Sequence, residues 1–285
     1  MLLRMTPTEV SGPIRKTVMH LSALDKARVF RSVYLAGVEA EALVVLDVGS
    51  AIVDPTQHSN RDAMTNPNWR ITGLDIEPGL NVEVVVADPY DWTEVESGSV
   101  DVVTCSEVFE HAEYFWVTIH EIARVLRPRG LAFITSPSAG PLHSYPVDCW
   151  RFYDDGLPAV ARYGGLSVLD AQVQWMPVYR KGMQWRDASI VLQKPVEGAE
   201  AAHLRNWAAK LILKEGLAPA DFASPPPAPM AAPSVIPALS GKGAFAAREQ
   251  ELARKGGIAQ KGQVLLRQFR DLMRTIGEPL TKIRY

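Results

Sequence analysis

Two carboxylates in apolar segments are the residues of this sequence best placed to do chemistry. Asp47 lies in the apolar segment 43–48, shortly before Gly49. Asp75 ends a second apolar segment, residues 71–75. In an open α/β sheet, ligands bind beyond the carboxyl ends of parallel strands, where a small-residue turn admits the ligand and a carboxylate can bind ribose hydroxyls. The two segments therefore predict a site for a cofactor that contains a nucleoside.

The turn after the first segment argues against a dinucleotide. Only the first glycine of the Gly-x-Gly-x-x-Gly spacing is present, because Gly49 is followed by Ser50, Ala51 and Ile52. A pyrophosphate needs that glycine-lined approach to a helix N-terminus. The sequence therefore favours a cofactor without phosphate groups over NAD or FAD.

Three further segments extend the pattern. Residues 84–88 form a predicted strand that ends in an aspartate, and residues 100–111 form a predicted fourth strand that enters a loop. Residues 122–135 read as a helix, a Pro/Gly turn and a fifth strand. In this order and spacing, residues 40–195 resemble the class I S-adenosylmethionine-dependent methyltransferases. The likeness is strongest to the broad small-molecule group that carries a Glu-His pair after the fourth strand.

The resemblance implies S-adenosylmethionine as the cofactor and assigns it a set of binding residues. A single aspartate in such a place is also common as a helix cap or turn residue, but carboxylates at three successive strand ends favour the cofactor role. The implied residues are Asp47, Gly49 and Ser50 at the methionine end, Asp75 and Ile76 at the ribose, Asp88 at the adenine amino group, and Ser106 and Glu107 at the sulfonium.

Two departures from the family pattern stand near this site. The residue after Asp88 is Pro89, which has no N–H to offer the adenine ring, so Tyr90, Asp91 or water would have to replace it. Residues 51–68, which include His58, are longer than the usual cofactor turn. They form either an irregular lid over the cofactor or an insertion.

The predicted fold is α/β: a Rossmann-like, seven-stranded, mostly parallel sheet flanked by helices, with a Pro-rich linker and a helical C-terminal extension. Helices are predicted over residues 23–35 and 116–126, and a further helix is expected to begin near residues 155–157. The last two strands are predicted over 165–172 and 186–194. The resemblance implies that the final strand is antiparallel to the others.

Composition favours a cytoplasmic enzyme with one buried domain and an appendage. The chain has 285 residues, 47% of them hydrophobic, and a formal net charge of −2. It contains no apolar run of about 18 residues and no signal-peptide pattern. Cys105 and Cys149 form no metal or disulfide motif and are expected to be reduced thiols.

The chain changes character after the predicted sheet. We predict four segments: an N-terminal helical segment 1–40, the cofactor domain 41–195, a helix with a Pro/Ala-rich linker 196–241, and a basic helical arm 242–285. The arm holds ten Lys or Arg and four Asp or Glu.

An amphipathic helix is predicted in the arm, and the sequence allows several surfaces for it to pack against. The apolar stripe could pack on its own domain or on a second subunit, or the helix could dock on an anionic membrane, a lipid-linked substrate or nucleic acid. Interleaved aromatic and basic residues are missing, which disfavours RNA. The stripe consists of Leu265, Phe269, Leu272 and Ile276.

The loop after the fifth predicted strand, residues 136–153, concentrates polar and aromatic side chains. His143 is the best candidate for a catalytic base because imidazole titrates near neutral pH, and Asp148 could orient it. The alternative is that His143 only caps the loop. His111 is the second catalytic candidate, although it could simply pair with Glu110 at a helix start.

The same loop supplies the candidate acceptor-binding residues. Aromatic faces and a few fixed polar groups suit a saccharide or an aromatic acceptor. Alternatively, the aromatic side chains could pack over the hydrophobic core and have no contact with an acceptor. A buried Arg151 would need a carboxylate partner, whereas an exposed one could bind an anionic substrate group. The candidates are Tyr145, Trp150, Arg151 and Tyr153.

A divalent metal is possible here but not favoured, and no metal ligand is assigned. Glu107, His111, His143 and Asp148 could together hold such an ion, yet their spacing is not diagnostic.

These observations predict an S-adenosylmethionine-dependent methyltransferase that methylates oxygen on a small hydroxylated acceptor, a saccharide or natural product. A nucleic-acid or protein methyltransferase is the first alternative, but the Asn/Asp-Pro-Pro-Tyr/Phe sequence of base-methylating enzymes is missing after the fourth strand. The second alternative is a catalytically silent methyltransferase-like module that binds partners through its basic arm. A homo-oligomer formed through that arm is also possible.

Overall fold

The computed structural model describes residues 19, 21–52, 55–173, 185–196 and 243–255. The predicted helix after residue 196, the Pro-rich linker and the predicted helix over 265–276 lie outside these residues. The described helices are α1 (Leu21–Tyr34), α2 (Asn60–Met64), α3 (Phe115–Val125), α4 (Gly156–Tyr163) and α5 (Ala244–Lys255). The described strands are β1 (Val44–Val48), β2 (Arg70–Asp75), β3 (Val84–Val85), β4 (Val100–Ser106), β5 (Leu126–Pro137), β6 (Ser167–Val173) and β7 (Asp187–Gln193).

The strands form one seven-stranded sheet in the order β3-β2-β1-β4-β5-β7-β6. Strands β1 to β5 are parallel to their neighbours, whereas β7 is antiparallel to both β5 and β6. The predicted Rossmann-like fold and its antiparallel last strand are confirmed. Because β1 and β4 are adjacent at the centre, the loops that follow them meet at one edge of the sheet.

Helices cover both faces of the sheet, which explains why the central strands are apolar throughout rather than alternating. On one face, α3 and α4 contribute to a core around Val103, Ala132 and Ile190. On the other face, α1, α2 and α5 contribute to a core around Val45 and Phe133. The core therefore crosses the predicted segment boundary at residue 40.

Two predicted elements differ from the observed ones. The Pro/Gly turn predicted before the fifth strand is absorbed into β5 as an irregularity, where the pairing with β4 shifts between Val100 and Val102. Strand β3 has only two residues and ends well before Asp88. Beyond it, the N–H of Val86 still donates to the carbonyl oxygen of Asp75 (3.0 Å), and the N–H of Ala87 donates to the Glu94 side chain (3.0 Å).

The described part of the basic arm packs on the chain's own sheet. The ring of Phe245 is fully buried and its centroid lies 5.9 Å from that of Phe133. The carboxylate of Asp170 accepts the N–H of Ala244 (3.0 Å) at the start of α5, and Arg248 pairs with Asp25 of α1 (3.0 Å). Of the described helices, none has the length and apolar character needed to cross a bilayer.

Candidate active site

The turn after β1 requires a glycine. Gly49 has a φ of +71°, and a Cβ there would lie 2.2 Å from a methyl group of Val108. The N–H groups of Gly49 and Ser50 both donate to the carbonyl oxygen of Leu74, at 2.8 and 3.2 Å. These two bonds therefore join the ends of β1 and β2. The Ser50 hydroxyl donates to the carbonyl oxygen of Asn81 (2.9 Å).

Asp47 is buried and is held by residues from two other elements. Its Oδ1 accepts a hydrogen bond from Asn60 Nδ2 (2.8 Å) and another from Thr104 Oγ1 (2.7 Å). Asn60 Oδ1 in turn accepts from the hydroxyl of Ser106 (3.0 Å). Asn60 thus connects the ends of β1 and β4. Sequence reasoning missed it, although it lies in the long loop that was singled out.

Part of that long loop forms α2, so the loop is not irregular throughout. The helix begins after Ser59, whose backbone N–H donates to the Asp62 side chain (3.0 Å) and so stabilises the first turn. Met64 at the other end is buried in the core. The helix is therefore anchored at both ends, and Asn60 is directed at Asp47.

Burial raises the pKa of Asp47 to about 6, although the hydrogen bonds from Asn60 and Thr104 lower it. The unfolded chain has the ordinary value of 3.8. Because the folded protein binds this proton more tightly, the free energy of unfolding falls as pH rises from 3.8 to about 6, and the loss is complete above that range.

We therefore expect Asp47→Asn to stabilise the cofactor-free protein. Asparagine can keep an oxygen for both hydrogen bonds but never ionises, so its free energy of unfolding should exceed that of the wild type by about 1–3 kcal/mol at neutral pH. Urea unfolding from about pH 5 to about pH 8 measures this difference. An exposed carboxylate, Asp154, provides the matched Asp→Asn control. A variant no more stable than wild type at neutral pH would contradict the expectation.

Asp75 stands at the end of β2, as predicted. Its two carboxylate oxygens accept the N–H groups of Ala51 (2.9 Å) and Ile76 (2.8 Å). Each oxygen keeps a further lone pair for a ligand. Ile76 is exposed beside it, as is Leu80. A carboxylate next to exposed apolar side chains suits a ribose with an adjoining base.

Asp88 lies on an exposed loop, and its carboxylate accepts the N–H of Tyr90 (2.8 Å). The Tyr90 hydroxyl accepts the N–H of Tyr114 (3.2 Å), and the two rings meet edge to face at 5.3 Å. The backbone N–H of Tyr90, one of the groups that could have replaced the missing N–H of Pro89, is therefore already engaged.

Glu107 follows the last residue of β4 in a left-handed conformation, with a φ of +57°. For a residue with a Cβ, this conformation is strained and is typical of functional sites. Its N–H donates to the carbonyl oxygen of Thr135 (3.0 Å), and its Oε1 accepts the hydroxyl of Thr135 (2.9 Å). These bonds fix Glu107 between the ends of β4 and β5.

Glu110, His111 and His143 come together beyond these strand ends, and we call them the Glu110 cluster. Oε1 of Glu110 lies 3.6 Å from Nε2 of His111 and 3.9 Å from Nε2 of His143. The Glu110 side chain is fully buried, while those of the two histidines are 11% and 14% exposed. The hydroxyl of Ser136 donates to the other Glu110 oxygen (2.8 Å). Sequence reasoning had treated Glu110 only as a pairing partner of His111.

Burial determines the protonation of this cluster. It lowers the pKa of both His111 and His143, which favours neutral imidazoles. Burial, together with the negative charge of Glu107, raises the pKa of Glu110 well above its ordinary value. Each histidine also has a neighbour for Nδ1: the carbonyl oxygen of Val147 lies 2.5 Å from that of His111, and Asp148 Oδ2 lies 3.2 Å from that of His143.

Asp148 and Arg151 form a two-pronged ion pair behind His143. The guanidinium donates to both carboxylate oxygens of Asp148, at 2.5 and 2.8 Å. Although burial opposes it, these bonds and the N–H of His143 lower the pKa of Asp148 to about 2. Arg151 therefore has the carboxylate partner that a partly buried arginine needs, so it braces the loop instead of reaching outward.

The predicted aromatic residues lie on the outer side of the same loop. Tyr145 and Tyr153 are exposed. Trp150 is partly exposed, its indole N–H donates to the carbonyl oxygen of Ala112 (3.0 Å), and its ring lies edge to face on Phe115 at 5.2 Å. The loop thus presents aromatic faces next to the Glu110 cluster.

The metal ligands considered from the sequence are not brought together as a set of four. Glu107 is bound to Thr135, and Asp148 stands behind His143 with Arg151. In the part of the chain that the structure describes, the residues that converge are those of the Glu110 cluster.

The strand order with its antiparallel β7 is that of the Rossmann-like methyltransferase fold. Residues 46–134 match the protein-family model described as "Methyltransferase domain". The chain therefore carries a methyltransferase domain. A comparison with curated proteins found no match.

The chain is also similar to several solved structures. One is a 1,6-didemethyltoxoflavin-N1-methyltransferase from Burkholderia thailandensis, at 18% identity and a TM-score of 0.45, over 61% of this chain and 78% of the other. Another is the [4+2]-cyclase SpnF, at 16% identity and a TM-score of 0.45, over 66% of this chain and 86% of the other. A third is the CurJ carbon methyltransferase, at 15% identity and a TM-score of 0.45, over 62% of this chain and 56% of the other. These names span nitrogen methylation, a cyclisation and carbon methylation, and they leave the acceptor of this chain open.

Proposed function

We propose that this enzyme transfers the methyl group of S-adenosylmethionine to a hydroxyl oxygen of a small acceptor that lies against the Glu110 cluster. The observation that carries the proposal is the arrangement of His143, whose imidazole is neutral and has Asp148 beside Nδ1. Such a pair can accept a proton from a hydroxyl group. A neutral amine nucleophile would make less use of it, because its lone pair can attack the methyl carbon before any proton leaves.

The cofactor-binding part of the proposal follows the strand ends. Asp75 binds the ribose hydroxyls, with Ile76 against the adjoining base, and Asp88 receives the adenine amino group. Asp47 faces the methionine end, where the cofactor's ammonium would offset a buried carboxylate that has no side-chain cation among its hydrogen-bond partners. Gly49 and Ser50 shape the turn beneath it. Ser106 and Glu107 line the sulfonium.

Methyl transfer is an in-line displacement at the methyl carbon, and the sulfonium is already a good leaving group. The protein's tasks are to align the acceptor oxygen with the S–CH3 bond and to remove the hydroxyl proton. In the metal-free enzyme, we assign proton removal to Nε2 of His143. Asp148 holds the ring, and Arg151 holds Asp148. His111, whose ring centroid lies 4.9 Å from that of His143, forms the other wall.

The exposed aromatic side chains favour a flat or ring-shaped acceptor such as a saccharide or a phenolic natural product. Tyr145, Trp150 and Tyr153 offer ring faces on the outer side of the loop, and Leu142 beside them is exposed as well. Apolar faces with a few fixed polar groups are typical of sites for such ligands.

A product analysis tests this proposal. The protein is incubated with S-adenosylmethionine and, separately, with saccharides, phenolic glycosides, primary amines, thiols, peptides and RNA. Formation of S-adenosylhomocysteine identifies acceptors, and NMR of the product locates the methyl group. We expect O-methylation of a hydroxylated small molecule. Methylation confined to nitrogen, carbon, peptide or RNA would refute the proposal.

A further inference from the structure

The Glu110 cluster has a feature that proton transfer alone does not require: three potential ligand atoms lie within 4.8 Å of one another. Nδ1 of His111 must donate its proton to the carbonyl oxygen of Val147, because a carbonyl can only accept (2.5 Å). Nε2 of a neutral His111 is then an acceptor. This buried atom and the buried Glu110 Oε1 have no hydrogen-bond partner within the described structure.

His143 completes the arrangement. Its Nδ1 lies 3.2 Å from Asp148 Oδ2 and 3.4 Å from the carbonyl oxygen of Pro141, and both of these atoms are acceptors. A nitrogen of Arg151 also lies 3.4 Å away, but that nitrogen makes a shorter bond of 2.8 Å to Asp148. The tautomer with the proton on Nδ1 is therefore favoured. It leaves the lone pair of Nε2 facing Glu110.

We propose that the Glu110 cluster binds a divalent first-row transition-metal ion through Oε1 of Glu110 and Nε2 of His111 and His143. Two imidazoles and one carboxylate suit zinc, cobalt, iron or manganese better than magnesium, which prefers oxygen ligands. Each histidine has the support expected of a metal ligand, because its other nitrogen is held by a carbonyl or a carboxylate.

The distances allow such an ion after a small adjustment. The three ligand atoms all lie within 4.8 Å of one another. A tetrahedral ion with bonds of about 2.1 Å needs its ligand atoms roughly 3.4 Å apart. The two histidine side chains would therefore close in by about an ångström on binding. Both belong to loops beyond the strand ends, where such a movement does not disturb the sheet.

The local charge also favours a cation. Three carboxylates lie in or near the cluster: Glu110 is one of its members, Glu107 raises the pKa of Glu110, and Asp148 lies beside His143. Among the groups that act on Glu110, Arg151 is the cation, and it is paired with Asp148. A divalent ion would offset the remaining two carboxylates. Protonation of Glu110 would offset only one.

The ion would activate the acceptor hydroxyl and not the methyl donor, because methyl transfer from a sulfonium needs no metal. The ion-binding site itself does not depend on the proposed O-methylation, but this consequence does. A hydroxyl bound to the ion would release its proton to water more readily, and its oxygen would then attack the methyl carbon as the S–CH3 bond breaks. In the ion-loaded enzyme, His143 would thus be a ligand instead of the base.

Titration of the metal-stripped full-length protein with Co²⁺, Zn²⁺, Mn²⁺ and Mg²⁺, without cofactor or acceptor, tests the site. We expect one ion per chain, a visible Co²⁺ absorption band of a site with nitrogen ligands, a rise in melting temperature with Zn²⁺, and the weakest binding for Mg²⁺. Because no acceptor is used, this result is independent of whether oxygen is the methylated atom.

Matched variants locate the ion. Glu110→Gln keeps the size of the side chain and its bond to Ser136, and it should weaken Co²⁺ binding by more than about 100-fold, as should His111→Ala. Asp148→Asn, which alters the support of His143 and the ion pair with Arg151 but removes no proposed ligand, should weaken it by about 10- to 100-fold. His58→Ala removes an exposed histidine paired with Asp62 and should leave affinity unchanged. No binding by the wild type, or binding undiminished in well-folded Glu110→Gln, would overturn the proposal.

Discussion

Replacing Asp75 with alanine should lower the affinity for S-adenosylmethionine and S-adenosylhomocysteine by roughly 100-fold or more. In the proposed role, this carboxylate accepts hydrogen bonds from both ribose hydroxyls, and a hydrogen bond to a charged group is worth about 1.5–3 kcal/mol. Isothermal titration with each ligand measures the loss. Both ligands should be affected equally, because they share the ribose.

Asp75 also accepts the backbone N–H groups of Ala51 and Ile76, so alanine could act by loosening the turn. Asp75→Asn separates the loss of charge from the loosening of the turn. The asparagine carries no charge, but its amide oxygen can still accept one of the two backbone N–H groups. We expect intermediate affinity for this variant. Glu77→Ala, at an exposed carboxylate two residues away, is the matched control. A folded Asp75→Ala protein that binds the cofactor with wild-type affinity would remove the ribose assignment.

Replacing His143 with alanine should lower turnover by about 10²- to 10⁴-fold while cofactor affinity stays unchanged. This range is what a positioned acid–base group contributes. His143 lies beyond the ends of β4 and β5, away from Asp75, so the loss should appear in kcat and not in cofactor binding. Turnover is measured by kinetics with an acceptor that the enzyme methylates, and cofactor affinity is measured by titration.

Ser144→Ala is the control for His143, because it changes an exposed neighbour in the same loop. Asp148→Asn should also reduce turnover, by a smaller factor, since the ring of His143 remains but loses its ionised partner. If His143→Ala and Ser144→Ala turn over acceptor at the same rate, His143 serves only to cap the loop, and the catalytic assignment fails.

The elements of the domain were predictable because their signals are local. Strands covered on both faces are largely continuous apolar runs, and β1, β2 and β7 lie within one or two residues of their predicted bounds. Helix α3 ends where Pro128 and Gly130 were expected to end it, at Val125. Asp75 also lies at the predicted strand end, because that position depends only on where the apolar run stops.

Predictions that depended on exposed loops were less accurate. Strand β3 has only two residues and lies at the sheet edge, and the N–H of Ala87 shortly after it donates to a side chain and not to a neighbouring strand. The Pro/Gly turn did not interrupt β5, because the shift in pairing with β4 accommodates the additional residues. Apolar patterning carries no information about either outcome.

Local residue types were sufficient for the class of fold and for placing Asp75 at a strand end. Only the tertiary structure showed that Asn60 joins Asp47 to Ser106, that Arg151 is committed to Asp148, and that Glu110 faces both histidines. The reason is physical: apolar runs and turn residues act over a few neighbouring positions, whereas a hydrogen bond between residues 46 positions apart exists only once strands β1 and β4 lie side by side.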